Sequence, residues 1–167
     1  MFNLGVIDDD LFLSKKLRFK KKFSNNELNL YHYFFSKTKI YAENVIVIKN
    51  FIFFFVHNED YFEAKFALNL IRKELSKKII IVGAEKSLIK LLFNLFPDLY
   101  IHDIKVECDL YSNERIVYVY FLSFEDRGIA VGRRGDYIKA INEIFKKYVI
   151  FENAEVPIKI KCELIQM

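Results

Sequence analysis

The sequence predicts an α+β chain made of two small units, each a small sheet packed on helices. Three observations predict it. Runs rich in β-branched and aromatic residues interleave with segments whose apolar positions recur every three or four residues, so strand and helix signals alternate along the chain. One order of elements, strands followed by a helix and a closing strand, occurs twice, between Glu27 and Val82 and again beyond Gly83. Hydrophobic residues make up 53% of 167, which is enough to bury a core in each unit and argues against a disordered chain.

The predicted domains are a basic N-terminal arm over 1–26, a first unit over 27–82 and a second over 83–167. The arm takes its character from Leu13 to Phe23, with six Lys or Arg in eleven residues. Such a run can contact phosphates or anionic lipid, or serve as a solvated edge. Asp8, Asp9 and Asp10 are read as surface, because three adjacent acids cannot all face one ion in a regular element.

In the first unit, Glu27–Phe34 is rich in β-formers and is predicted as a strand, with Thr38–Glu43 as a second that can continue to Ile48. Phe51–Val56 is a short apolar element. It has no interleaved basic residue, so core is expected there rather than a base-stacking platform. Tyr61–Leu75 has the spacing of a helix, with Phe62, Phe66, Leu70 or Ala67, Ile71 and Leu75 as its apolar stripe. Lys78–Val82 closes the unit as a strand.

In the second unit, Ala84–Phe96 is predicted as a helix with Leu88, Leu91, Leu92 and Leu95 inward, stopped by Pro97. Ile101–Asp109 and Ile116–Leu122 are strands joined by a turn at Tyr111–Arg115. Tyr118 and Tyr120 alternate with Val117 and Val119, so one pair faces the helices and the other an open face. Glu155–Leu164 alternates as the last strand, and Pro157 puts its start at a sheet edge.

Between those strands lies the stretch with the clearest chemistry. An apolar turn, Ile129-Ala130-Val131, leads into a basic loop, Gly132-Arg133-Arg134-Gly135. A helix follows with Ile138, Ile141, Ile144, Phe145 and Tyr148 at spacings of three and four. Glycine permits positive φ and close approach of a ligand. The unpaired N–H groups and positive dipole end of the following helix attract an anion, and the two arginines add permanent charge and forked donors. The bare G-x-x-G spacing is common; its setting between an apolar turn and an amphipathic helix is the informative part.

This stretch resembles the K-homology (KH) RNA-binding domain, whose G-x-x-G loop clamps about four backbone nucleotides. The order helix, strand, strand, helix, G-x-x-G, helix, strand is that of the prokaryotic, or type II, KH domain. Together with Ile79–Val82, the helix Leu88–Phe96 and the strand from Ile101, it looks like the junction between the two KH domains of NusA-like transcription factors. The likeness covers the last half of the chain well and Glu27–Val82 more faintly.

The resemblance implies two tandem type II KH-like units, each with a small mixed sheet. It implies single-stranded RNA as ligand, held by Gly132, Arg133, Arg134 and Gly135. Ile129, Val131 and Ile138 would supply an apolar floor, with Ala130 as floor or core. Arg127 and Lys139 would be outer phosphate contacts. The first unit carries His57-Asn-Glu-Asp-Tyr-Phe-Glu-Ala64 where the glycine loop is expected, so it is read as a degenerate KH unit. Asp136 leaves two outcomes open: it caps the helix and pairs with an arginine, or it opposes a phosphate.

The partners the resemblance offers are RNA polymerase, in transcription elongation, termination or antitermination, and the ribosome, as a structural or associated component. A protein-interaction scaffold with a vestigial RNA loop is a third reading. Net charge of +4 permits nucleic-acid binding without demanding it.

No enzyme is expected, since no nucleophile, acid/base pair or nucleotide loop stands out, and His57 lacks partners for catalysis. No metal or other cofactor is expected: Cys108 and Cys162 lie in strand-like runs, read as buried free thiols, with no zinc spacing. The N-terminus does not read as a signal or transit peptide, and the longest apolar run, Val45–Val56, is too short for a span, so no membrane partner is expected. Heavy use of Phe, Ile, Lys, Asn and Tyr is what an AT-rich genome encodes. The expected location is the cytoplasm or an organellar matrix or stroma, with a plastid suspected.

Overall fold

The local signal that decides the first unit is Ser24, not the β-formers after it. In the computed structural model, which describes residues 11–21, 23–152 and 157–166, Ser24 caps a helix, α1 (Asn25–Thr38). Its Oγ accepts from the Glu27 N–H at 3.2 Å and the Glu27 carboxylate accepts from the Ser24 N–H at 3.1 Å, a reciprocal capping box. The strand expected over Glu27–Phe34 is therefore a helix. The strand expected over Thr38–Glu43 begins instead at Asn44, because Lys39 ends the helix with a left-handed φ of 61°.

The fold is mixed α+β, with small sheets packed against helices. The chain divides into two compact units: Phe19–Glu85, and the N-terminal segment to Arg18 together with Lys86 onward. The first comprises α1, β2 (Asn44–Ile48), β3 (Phe51–His57), a 3₁₀ turn (Asn58–Asp60), α2 (Tyr61–Phe66), α3 (Leu68–Glu74) and β4 (Lys78–Ala84). Strands β2 and β3 form an antiparallel hairpin in the register Asn44↔Phe55, and β3 pairs parallel with β4 in the register Phe51↔Lys78.

The aromatic run at Phe51–Phe55 is core, as its composition suggested: it forms the central strand, and Phe51–Val56 are all buried. Phe34 stacks on Phe54 at 4.5 Å, with Ala64 and Ile71 of the short helices closing over Ile52, Ile79 and Ile81. Burying each such large side chain stabilises the unit by roughly 1.5–3 kcal/mol. The expected helical stripe is met in its second half only: Ile71 is buried, and Ala67 and Leu75 pack against the core, but Ala64 takes the inward place in the first half while Phe62, Phe66 and Leu70 are exposed.

The second unit contains α4 (Leu88–Leu95), β5 (Asp103–Cys108), β6 (Arg115–Phe121), α5 (Phe124–Val131), a 3₁₀ turn (Arg133–Gly135), α6 (Asp136–Lys147), β7 (Val149–Phe151) and β8 (Ile158–Leu164). Its sheet repeats the pairing logic of the first: β5 antiparallel to β6, and β6 parallel to β8 in the register Val117↔Ile160. Leaving aside the 3₁₀ turns, the first unit runs helix, strand, strand, helix, helix, strand, and the second follows the same order with the short strand β7 inserted before β8. Helix α4 starts at Leu88, later than expected, because β4 runs on through Gly83 to Ala84.

The inward face of α6 is Tyr137, Ala140, Ile141, Ile144 and Phe145; Ile138 lies beside that stripe, half-buried, rather than in it. Tyr137 earns its place through both ends: the ring meets Phe96 edge-on at 6.0 Å and the hydroxyl donates to the Leu95 carbonyl.

The basic N-terminal segment is tied into the second unit. Strand β1 (Leu17–Phe19) pairs with β7. The Leu17 N–H donates to the Lys86 carbonyl at 2.7 Å and the Glu152 N–H to the Lys16 carbonyl at 3.0 Å. Phe12, Leu13 and Leu17 are buried, leaving Lys16 and Arg18 in solvent. Asp8–Asp10, Lys22 and the expected strand start at Glu155 lie outside the described residues. Cys162 is buried, but Cys108, expected to be buried too, is exposed near the end of edge strand β5.

Candidate nucleic-acid interface

Helix α5 is set by Ser123, whose Oγ accepts from the Asp126 N–H at 3.0 Å, with Glu125 and Asp126 at the positive end of its dipole. It ends where the Gly132 N–H donates to the Gly128 carbonyl at 2.9 Å. Gly132 then takes φ 81°, ψ 172°, a conformation reserved for glycine. A Cβ there would collide with the Asp136 carboxylate and lie 2.8 Å from the Tyr137 amide nitrogen. Asp136 is therefore folded under the loop, half-buried, rather than projecting from it.

The loop turns through three left-handed residues. After Gly132 come Arg134 at φ 56° and Gly135 at φ 72°. A non-glycine residue held left-handed costs roughly 1 kcal/mol or more and marks a position where shape matters. The Gly135 N–H donates back to the Gly132 carbonyl at 3.1 Å. Lys139 Nζ donates to the Arg134 carbonyl at 3.3 Å, which brings a third cationic head to the loop beside the exposed Arg133 and Arg134. Gly135 differs from Gly132 in having room: a Cβ would meet only Lys139 Cε at 3.7 Å and Ile138 Cγ2 at 3.9 Å.

Of the expected apolar floor, Ile129 is 57% exposed and Val131 and Ile138 are half-buried, so all three present surface beside the loop, whereas Ala130 is core. Arg127 is engaged elsewhere: its Nε donates to the Cys162 carbonyl on β8 at 3.2 Å. Asn142, read from the sequence only as part of a polar face, has a specific task. Its Oδ1 accepts from the Ile160 N–H at 2.7 Å and its Nδ2 donates to the Ile160 carbonyl at 3.0 Å. Strand β8 lies at the sheet edge, so Asn142 and Arg127 satisfy backbone groups that would otherwise be open for pairing. The available clue was an amide in mid-helix, where asparagine is a poor helix former and usually has a reason to be there.

The open face of the second sheet is chemically different. Registers place Asp103, Lys105, Glu107, Lys159, Lys161 and Glu163 around Tyr118 and Tyr120, three acids against three lysines. Burial and then Glu107 push both phenols above their ordinary range. Carboxylates so close make this face a poor platform for a polyanion.

In the first unit the position between the two short helices is the single residue Ala67, right-handed at φ −84°, ψ −5°. The segment from His57, where a loop counterpart was expected, is instead the 3₁₀ turn leading into α2. His57 Nε2 pairs with Glu43 Oε1 at 2.5 Å beside a hollow of about 620 Å³ lined by Tyr31, Tyr41, Lys39 and Asp60. Among the described residues no group of three or more His, Cys, Asp or Glu could hold a metal ion, and no helix is long and apolar enough to cross a membrane.

No family model and no curated protein matches the chain. Solved structures do. The crystal structure of APE1850 is similar at 25% sequence identity and a TM-score of 0.59, over 83% of this chain and 100% of that one. That share is larger than either compact unit alone holds, so the likeness draws on residues of both.

Proposed function

We propose that this chain is an RNA-binding protein of the tandem KH type, resembling the KH region of NusA, which grips single-stranded RNA through Gly132-Arg133-Arg134-Gly135. The observation that carries the reading is the loop itself: three left-handed residues and two exposed arginines between α5 and α6, flanked by exposed or half-buried Ile129, Val131 and Ile138. Phosphates would lie against the loop and the start of α6, where backbone N–H groups and the helix dipole favour anions. Bases would enter beside the three apolar side chains. A-form duplex hides its base edges, so the ligand is an unpaired segment. Lys139 serves as an outer phosphate contact, and Arg127 acts by holding α5 against β8.

The helix–strand–strand–helix–helix–strand order, complete in the first unit and interrupted only by the short β7 in the second, supports reading each as KH-like. In the first, Ala67 stands where a clamp would be, which supports a unit that has lost its grip on the backbone. Polymerase and ribosome are the partner classes the resemblance offers. Co-purification with polymerase, or salt-resistant co-sedimentation with subunits, separates them.

Titrating a single-stranded oligoribonucleotide into the isotopically labelled protein tests the site. Amide shifts should concentrate at 128–139. Shifts concentrated on Tyr118, Tyr120 and Lys161 instead would move the site to the sheet face, and no shifts at near-physiological salt would remove RNA as ligand.

A further inference from the structure

We propose that the outward face of α2 and α3 is a self-association surface, with a second copy of this chain as its occupant. Phe62, Phe66 and Leu70 are 74%, 88% and 47% exposed, at spacings of four, and so form one apolar stripe. Ala67 keeps a right-handed conformation, and the Ile71 N–H donates to the Ala67 carbonyl at 3.0 Å, so the helical screw carries through the junction. With Ala64 and Ile71 pointing into the core, the opposite side of the screw presents Phe62, Phe66, Leu70 and Lys73, with Glu59 exposed in the 3₁₀ turn just before it. Scattered apolar side chains on a surface need no explanation; a contiguous stripe with two nearly bare phenylalanines does.

The charges around the stripe select the occupant. Glu59 and Glu63 lie at its N-terminal end and Arg72 and Lys73 at its C-terminal end, all exposed, while the neighbouring Glu74 is already paired with Lys37, at 3.0 Å, and with Tyr33. Antiparallel apposition of two such faces about a two-fold axis at Phe66 sets Glu59 against the partner copy's Lys73 and Phe62 against its Leu70. Phe66 then meets its own equivalent. Each pair lies the same number of residues from the axis, seven or four, so one symmetry operation generates all the contacts. This is the self-complementarity an isologous dimer requires. Parallel apposition would bring like charges together at both ends. The three apolar side chains expose about 400 Å² per copy. Two copies therefore bury about 800 Å² from them alone, and rim residues raise this toward the lower end of specific interfaces.

Sedimentation equilibrium of the full chain over a wide concentration series tests the proposal. The wild type should rise from 20.0 kDa toward twice that mass. Phe66→Glu, at a position that contributes nothing to the core, should stay at the monomer mass with an unchanged circular dichroism spectrum. Glu59→Lys should weaken association at least severalfold, and Glu59→Lys with Lys73→Glu should restore it. A wild type that stays monomeric throughout overturns the proposal, as does a Phe66→Glu variant that still dimerises. A double reversal that fails to restore association overturns the antiparallel register. If the wild type is monomeric and Phe66→Glu lowers affinity for a single-stranded oligoribonucleotide, the face belongs to RNA and the dimer is rejected.

Discussion

The two loop glycines should respond very differently to alanine. At Gly132 the backbone sits at φ 81°, ψ 172°, which costs a non-glycine residue about 1–3 kcal/mol. A Cβ would also lie 2.8 Å from the Tyr137 amide nitrogen and 2.9 Å from Tyr137 Cβ. Tyr137 is packed on Phe96 and bonded to Leu95, so it cannot easily yield, and overpacking adds about 1–3 kcal/mol. Gly132→Ala should therefore lose about 2–6 kcal/mol. Gly135, at φ 72°, ψ 21°, has open space around its Cα, so Gly135→Ala should lose about 1–2 kcal/mol for the left-handed backbone alone. Gly135→Asn should lose less still, because asparagine tolerates that region. Urea unfolding of the three variants, read as midpoint shifts at constant slope, measures the difference. The reasoning is refuted if Gly132→Ala is no more destabilising than Gly135→Ala. Since the Gly135 variants should fold, RNA binding by Gly135→Asn then reports on the ligand's need for that glycine, separately from the fold's.

Glu27→Ala should lose about 2–3 kcal/mol of stability, more than Ser24→Ala at about 1 kcal/mol. The buried carboxylate serves both the cap and the Val47 N–H, at 3.2 Å. Thermal melts of the two variants compare them directly. Burial raises the Cys162 thiol to about 12, from 9.0 in the unperturbed thiol. The unfolded chain thus releases this proton first, and stability should fall by about 1.4 kcal/mol per pH unit between pH 9 and 12. Cys162→Ser or Cys162→Val should flatten that part of a pH–stability profile, while maleimide in native buffer should modify Cys108 and spare Cys162. Asn142→Ala strips two bonds from Ile160 on the edge strand and should cost about 1–3 kcal/mol, with faster amide exchange at Ile160 as the local signature.

The legible parts of the fold were those whose signal is local. Glycine spacing and paired arginines located the loop at 132–135, and β-branched runs located β4 and β6. One local signal was present and outweighed: the Ser24-x-x-Glu27 capping box was masked by Leu28, Leu30, Tyr31 and Tyr33, residues that also suit a strand. The period of Tyr61–Leu75 was readable but its phase was not. Phe62, Phe66 and Leu70 form a stronger apolar stripe than the Ala64 and Ile71 face, yet it is the smaller face that fits against the sheet. Likewise Ile138 and Tyr137 differ by one position, and Tyr137 turns inward to partners about forty residues away, the Phe96 ring and the Leu95 carbonyl. Distant pairings, such as Asn142 with Ile160 and Arg127 with Cys162, leave no trace in spacing.

Single-stranded RNA binding across a salt series, by the wild type beside the double variant Arg133→Asp, Arg134→Asp, tests the central claim most directly. Each phosphate contact on a single strand contributes about 0.7 to the slope of log affinity against log salt. Aspartate is among the residues that tolerate the left-handed Arg134 position, so the double variant should fold. The account predicts that it loses more than tenfold in affinity at low salt and that its slope shallows by about 1.4, two contacts at about 0.7 each. A folded double variant with the wild-type affinity and slope would contradict the account and shift the phosphate contacts to the basic segment around Lys16, Arg18 and Lys20.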